Sequence, residues 1–108
     1  MPLVIISGPA ERDIEVAYAW WKKNRSEEQA NRWYTSILAE IRSLSSMPER
    51  CSMAEERDLL SAGVRQLLFG LGRRATHRVV FAIDGDDVIV LRVRHSSQDA
   101  LSLDDLDT

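Results

Sequence analysis

The sequence holds one cysteine in 108 residues, Cys51, and therefore cannot close an intrachain disulfide or build a cysteine-based metal site. Cys51 sits in a polar stretch with no adjacent histidine, the setting of an ordinary loop thiol rather than a catalytic one. Histidine is almost as scarce. His77 and His95, eighteen residues apart, could ligate a metal only with distant carboxylates, so neither a metal nor a cofactor is expected. Long hydrophobic runs are missing as well. Met1-Pro2-Leu3-Val4-Ile5-Ile6 lacks a basic flank and a small-residue cleavage site, and it is too short for a signal peptide or a membrane span. A buried strand is the expected reading, in a cytoplasmic protein without membrane contact.

A large basic excess is also absent. Lys and Arg number 14 against 17 Asp and Glu, a formal charge of −3, which argues against direct, sequence-specific DNA binding over the whole surface. The acidity is local, however. Residues Ser97 to Thr108 carry Asp99, Asp104, Asp105 and Asp107 and no basic residue, whereas Arg65 to Arg94 holds six arginines against three aspartates. What is present, 44% apolar and 29% charged residues, describes a soluble globular chain of a length that suits one domain, 1–108, ending in an acidic tail at 97–108.

The apolar periodicity changes along the chain. Ser7-Gly8-Pro9 offers a helix cap with proline in the first turn, after which Ile14, Ala17, Tyr18 and Trp21 fall on one helical face. Lys22, Lys23 and Asn24 end that helix. Ser26-Glu27-Glu28-Gln29 reads as a capping box for a second helix burying Ala30, Trp33, Ile37, Ile41 and Leu44 and stopping before Pro48. Met47 to Gly63 is a polar connection, where Ser52-Met53-Ala54-Glu55 repeats the capping-box pattern and allows a short helix over Met53–Leu60. Beyond Gly63 the segments Val64–Phe69, Thr76–Ile83 and Val88–His95 read as strands, the last two joined by a tight turn at Asp84-Gly85-Asp86. The order β-α-α-β-β-β predicts an α+β domain. A two-helix antiparallel hairpin covers one face of a mostly antiparallel sheet, with room for a short C-terminal helix.

Pairing Ile83 with Val88 puts Val79, Phe81, Ile83, Val88 and Val90 on one face, and Val80, Ala82, Ile89, Leu91 and Val93 on the other. Both faces are apolar, and two helices can cover only one of them. Either the tail from Ala100 to Leu106 and the 47–63 connection fold over the second face, or a partner chain does.

With these elements in place the chain resembles the RelE/ParE superfamily, the toxin halves of bacterial type II toxin–antitoxin pairs, also called plasmid stabilisation proteins. The resemblance is carried by Ala10, Asp13-Ile14 and Tyr18, then by Ala30, Ile37, Ile41 and Leu44, Pro48, and Gly63-Val64-Arg65-Gln66-Leu67 with Gly70. It ends in His77-Arg78-Val79-Val80-Phe81-Ala82-Ile83-Asp84-Gly85-Asp86 and Val88-Ile89-Val90-Leu91-Arg92-Val93-Arg94-His95. Two activities are implied by the superfamily. In RelE-type ribosome-dependent endoribonucleases, Arg78 would match the strand arginine, with Arg65, Arg94 and His95 as its helpers. Arginine can stabilise phosphoryl charge, while histidine can move the proton. The basic and tyrosine residues expected near a ribonuclease C-terminus are absent here, and the only tyrosines, Tyr18 and Tyr34, lie on helices.

The ending His95-x-x-x-Asp99 resembles instead the ParE side, non-enzymatic poisons of DNA gyrase that inhibit growth and are neutralised by an antitoxin. The expected partners are thus an antitoxin and either gyrase or the ribosome, the further alternative being an orphan superfamily member without a target, and partner contact is expected from Val79, Phe81, Val88, Val90, Arg92 and Trp20. The alternative for Arg65, Arg78, Arg92 and Arg94 is exposed pairing with Asp84, Asp86, Asp87 or the tail carboxylates. Arg73 and Arg74, in the loop after Gly70, face either a target or solvent.

Overall fold

Both helices of the predicted hairpin start at their predicted caps. In the computed structural model, which describes residues 2–60, 63–98 and 100–106, Ser7 Oγ accepts the Ala10 N–H at 3.2 Å and opens α1 (Gly8–Asn24). Ser26 Oγ accepts the Gln29 N–H at 3.1 Å and opens α2 (Glu27–Arg42). A single 3₁₀ turn, Ser43–Ser45, prolongs α2 and buries Leu44, and Pro48 begins a second turn, Pro48–Arg50. The Arg50 guanidinium holds this corner by donating to the Ser46 carbonyl at 2.6 Å and the Met47 carbonyl at 3.2 Å.

Strands β1 (Val4–Ile6), β2 (Arg65–Phe69), β3 (His77–Asp84) and β4 (Asp87–His95) form one sheet in the order β1-β4-β3-β2. β1 runs parallel to β4, and the other pairings are antiparallel. Ile83 does face Val88, and Gly85, at φ 62°, supplies the left-handed residue that the two-residue turn requires. The helical hairpin packs on one face of the sheet, where Trp33, Ile37, Ile41 and Leu44 meet Val79, Phe81, Val88 and Val90. Full burial of each such aliphatic or aromatic side chain contributes roughly 1.5–3 kcal/mol before entropy is charged against it.

Two expectations are corrected by the chain path. Val93 belongs to the helix-side core, not to the opposite face. The ladder runs Phe81↔Val90 and then Val80↔Arg92, so Leu91 has no opposite number and this bulge reverses the alternation beyond it. The stretch Met53–Leu60 is not a helix. Met53 makes a β-bridge to Arg65, and turns follow, because Ala54 N–H donates to the Val64 carbonyl at 2.8 Å rather than starting a helical ladder.

The second sheet face is covered from within the chain. Ala54 and Val64 from the connection and Leu101 from the tail bury Val80, with Leu59, Leu60 and Leu91 packed around them. A four-residue helix, α3 (Leu103–Leu106), ends the described chain. Asp99, which completes the pattern begun by His95, and Asp107 of the acidic tail lie outside the described residues.

Candidate functional site

Three of the arginines singled out in the sequence, Arg78, Arg92 and Arg94, gather on the face of the sheet away from the helices. Arg78 on β3 stands directly opposite Arg94 on β4, and Arg92 stands opposite Val80. Like charges across a ladder repel unless each finds its own counter-charge. Arg78, 9% exposed, finds Glu56 in the 51–60 turns, whose carboxylate takes both guanidinium nitrogens, Nη1 at 2.8 Å and Nη2 more closely. The second Glu56 oxygen also accepts the Leu101 N–H at 2.7 Å. Burial works to raise the Glu56 pKa, but the Arg78 hydrogen bond and the Leu101 N–H outweigh it and hold the carboxyl at about 2. The pair therefore stays charged and ties together the connection, β3 and the tail.

Arg92 finds a different partner. β1 ends at Ile6, opposite Val90, so beyond that point α1 meets the outer edge of β4. Ser7 Oγ donates to the Leu91 carbonyl at 3.0 Å, and Asp13 on α1 accepts Arg92 Nε at 2.6 Å and Nη2 at 2.8 Å. Asp13 also accepts the Val93 N–H at 2.9 Å, satisfying a backbone donor that the short β1 cannot reach. The remaining Arg92 nitrogen, Nη1, donates to the Asp105 carbonyl of the tail at 2.8 Å. Asp105 itself accepts from Ser102 N–H at 2.8 Å, and this bonding with Ser102, helped by Arg94 and Arg92, lowers its pKa.

His77 and His95 point the other way. They are opposite one another in the ladder with ring centroids 5.2 Å apart, and His77 lies 5.2 Å from the Trp33 ring of α2. Burial, reinforced by His95, lowers the His77 pKa to about 4, so that its imidazole is neutral near pH 7.

The structure thus brings Arg78 and Arg94 together but leaves His95 and Arg65 apart from them. His95 follows Arg94 on the strand and so faces the helix side of the sheet. Arg65, three residues from the position opposite Arg78, donates to the Cys51 carbonyl at 2.7 Å and the Glu49 carbonyl at 3.3 Å. Val79, Phe81, Val88 and Val90, expected at a partner contact, are fully buried beneath α1 and α2 and present no surface. Of that set Trp20 is 50% exposed, edge-on to Trp21, and Arg92 is tied into the Asp13 pair. The partners of Arg78 and Arg92 are Glu56 and Asp13, not the aspartates of the β3–β4 turn. Burial raises the Cys51 thiol pKa, as suits an inert core cysteine.

Leu101 fell within the tail expected as one possible cover of the second sheet face, but Glu56 as the partner of Arg78 was not singled out from the sequence. Glu56 stands in a polar stretch without periodicity, and its only signal is that an arginine inside an apolar strand needs a carboxylate from somewhere. Among the described residues no cluster of three or more His, Cys, Asp or Glu is placed to hold a metal ion, and no helix is long and apolar enough to cross a membrane.

Residues 4–100 match a protein family described as the ParE toxin of the type II toxin–antitoxin system parDE. Among solved structures, the fold is similar to one titled "Chromosomal ParDE TA system from P. aeruginosa", with a TM-score of 0.70 and 18% identity over 88% of this chain and 96% of that one. No curated protein matches the sequence.

Proposed function

This chain belongs to the ParE toxin family of type II toxin–antitoxin systems, and on that footing we propose that it inhibits growth by binding an essential target, DNA gyrase, until a cognate antitoxin neutralises it. The observation that carries a binding role is the fate of Arg78. A ribonuclease would need this guanidinium free to meet a phosphoryl group, together with a proton carrier on the same side. Instead both its terminal nitrogens are taken by Glu56 in a buried pair, and His95 faces the opposite side of the sheet. Such a surface favours recognition of a protein over phosphoryl chemistry. The antitoxin partner is supported by the family and by the toxin–antitoxin title of the P. aeruginosa structure.

Purified protein is expected to inhibit supercoiling by gyrase in a gel assay and to leave mRNA on translating ribosomes uncut. Ribosome-dependent cleavage that is lost in the Arg78→Ala and His95→Ala variants, with supercoiling unaffected, would establish the RelE-type alternative instead. In cells, induced expression should arrest growth, and co-expression of the small gene adjacent to it should restore growth.

A further inference from the structure

Edge strands usually carry a charge, a proline or a covering segment that keeps other chains away. The edge strand β2 is covered for only part of its length. Segment 52–54 runs antiparallel along its outer side, where Gln66 N–H donates to the Ser52 carbonyl at 3.0 Å and Ala54 N–H to the Val64 carbonyl at 2.8 Å. Before Ser52 the chain bends away into the Pro48–Arg50 turn, so this cover stops opposite Gln66. Peptide groups alternate in direction along an antiparallel strand, so Leu68, two residues on, also turns its N–H and C=O away from β3. Among the described residues neither group meets a backbone partner on that side. The Leu68 side chain is 57% exposed, and Arg65 does not screen it, being drawn to the Cys51 and Glu49 carbonyls.

The open edge leads into a cationic loop. A Cβ on Gly70 would lie 2.3 Å from the Arg74 carbonyl oxygen, which places Arg74 beside Gly70, two residues beyond Leu68. Leu71 packs against the main core and Thr76 N–H donates to the Phe69 carbonyl at 2.9 Å, so the loop is fastened at both ends. Its tip, Gly72-Arg73-Arg74, is exposed, and among the described residues neither arginine meets a carboxylate. We propose that this edge docks an extended acidic segment of a partner protein. The segment adds a short strand beside Leu68, exchanging backbone hydrogen bonds with its N–H and C=O, while an aliphatic residue covers the Leu68 side chain. Its carboxylates meet Arg73 and Arg74. Segment 52–54 already shows this edge accepting an antiparallel strand. A nucleic acid would satisfy the arginines but leave Leu68 bare. The site goes beyond the identity of the poisoned target, and its test contains neither gyrase nor antitoxin, so its outcome is separate from that of the supercoiling assay.

The probe is a fluorescein-labelled synthetic peptide, Asp-Glu-Asp-Val-Thr-Val-Thr, titrated at low salt into full-length protein up to about 1 mM and followed by anisotropy. Arg73→Glu/Arg74→Glu, which changes only exposed side chains, is expected to weaken binding at least about tenfold. Leu68→Pro removes the outward N–H and leaves the bonds to β3 in place, and it should weaken binding to a similar degree. Hydrogen exchange on the wild-type protein needs no variant. The Leu68 amide should exchange fast in the free protein and at least about tenfold more slowly with peptide bound, while the Leu67 amide, which faces β3, keeps its rate. A peptide that does not bind, a Leu68 amide already protected in the free protein, or binding indifferent to Leu68→Pro would overturn the proposal. So would an oligouridylate that binds more tightly than the peptide and depends on the two arginines alone, which would assign the loop to nucleic acid.

Discussion

Replacing Glu56 by glutamine tests whether the cover of the second sheet face is held by one buried ion pair. The carboxylate accepts three hydrogen bonds, two from Arg78 and one from the Leu101 N–H, and its side chain is 1% exposed. Glutamine keeps one acceptor oxygen but turns an NH2 group and no charge toward a guanidinium that is itself nine-tenths buried. Removing one partner of such a pair costs ~3–5 kcal/mol, mostly the penalty of leaving the other charge uncompensated. Against a total stability of about 5–15 kcal/mol for a domain of this size, that loss is large. Urea denaturation at pH 7, followed by tryptophan fluorescence, should show the midpoint falling with an unchanged slope.

The gap between wild type and variant should also shrink on acidification. The folded pKa of Glu56 is lowered to about 2 from the ordinary 4.5, so its contribution is complete above pH 4.5 and is lost as the pH falls toward 2. The double variant Glu56→Gln/Arg78→Met should recover at least half of the loss, since no buried charge then remains unpaired. A cost under ~1 kcal/mol at pH 7, the worth of a solvated surface pair, would refute the reasoning.

Other consequences are open to equally direct measurement. His77 is buried and neutral, with a folded pKa of about 4 against 6.5 in the unfolded chain. The unfolded state therefore binds the proton first, and about 3 kcal/mol of stability should be lost between pH 6.5 and 4, a step that His77→Phe removes; a flat stability profile across that range would contradict it. Asp13→Asn, which weakens the Arg92 pair and the acceptor for Val93 N–H, should cost ~2 kcal/mol in urea denaturation and speed hydrogen exchange at Val93. Gly70→Ala should cost ~1–3 kcal/mol, because the added Cβ would lie 2.3 Å from the Arg74 carbonyl oxygen and force the β2–β3 loop apart. Gly85→Ala meets no neighbour within 4 Å, so its cost should be confined to the left-handed backbone, ~1–2 kcal/mol. Thermal denaturation of the four variants ranks these effects.

The amino-acid sequence by itself determined the elements and their order. Ser7 and Ser26 cap the helices because a side-chain oxygen two or three residues ahead of a free N–H is a local arrangement. The spacing of Trp33, Ile37 and Ile41 fixes which side of α2 is buried, and Asp84-Gly85-Asp86 fixes the β3–β4 register through a turn that only a few residues can make. The family resemblance was legible for the same reason, since it consists of those local patterns in their order.

Tertiary structure alone decided the rest, and each case involves residues far apart in the chain. The bulge at Leu91 arises where the edge of β4 passes from β1 to α1, and it moved Val93 to the other face of the sheet. Val79, Phe81, Val88 and Val90 had the composition of a contact surface, but the hairpin lies on that side and buries them. Arg78 and Arg92 took Glu56 and Asp13, 22 and 79 residues away, in preference to the nearer aspartates of the turn. Periodicity can report that a side chain will be buried and that a charge will need a partner. Which segment arrives to cover the one and neutralise the other depends on long-range packing, which here brought Glu56 to Arg78, Asp13 to Arg92, and the tail over both.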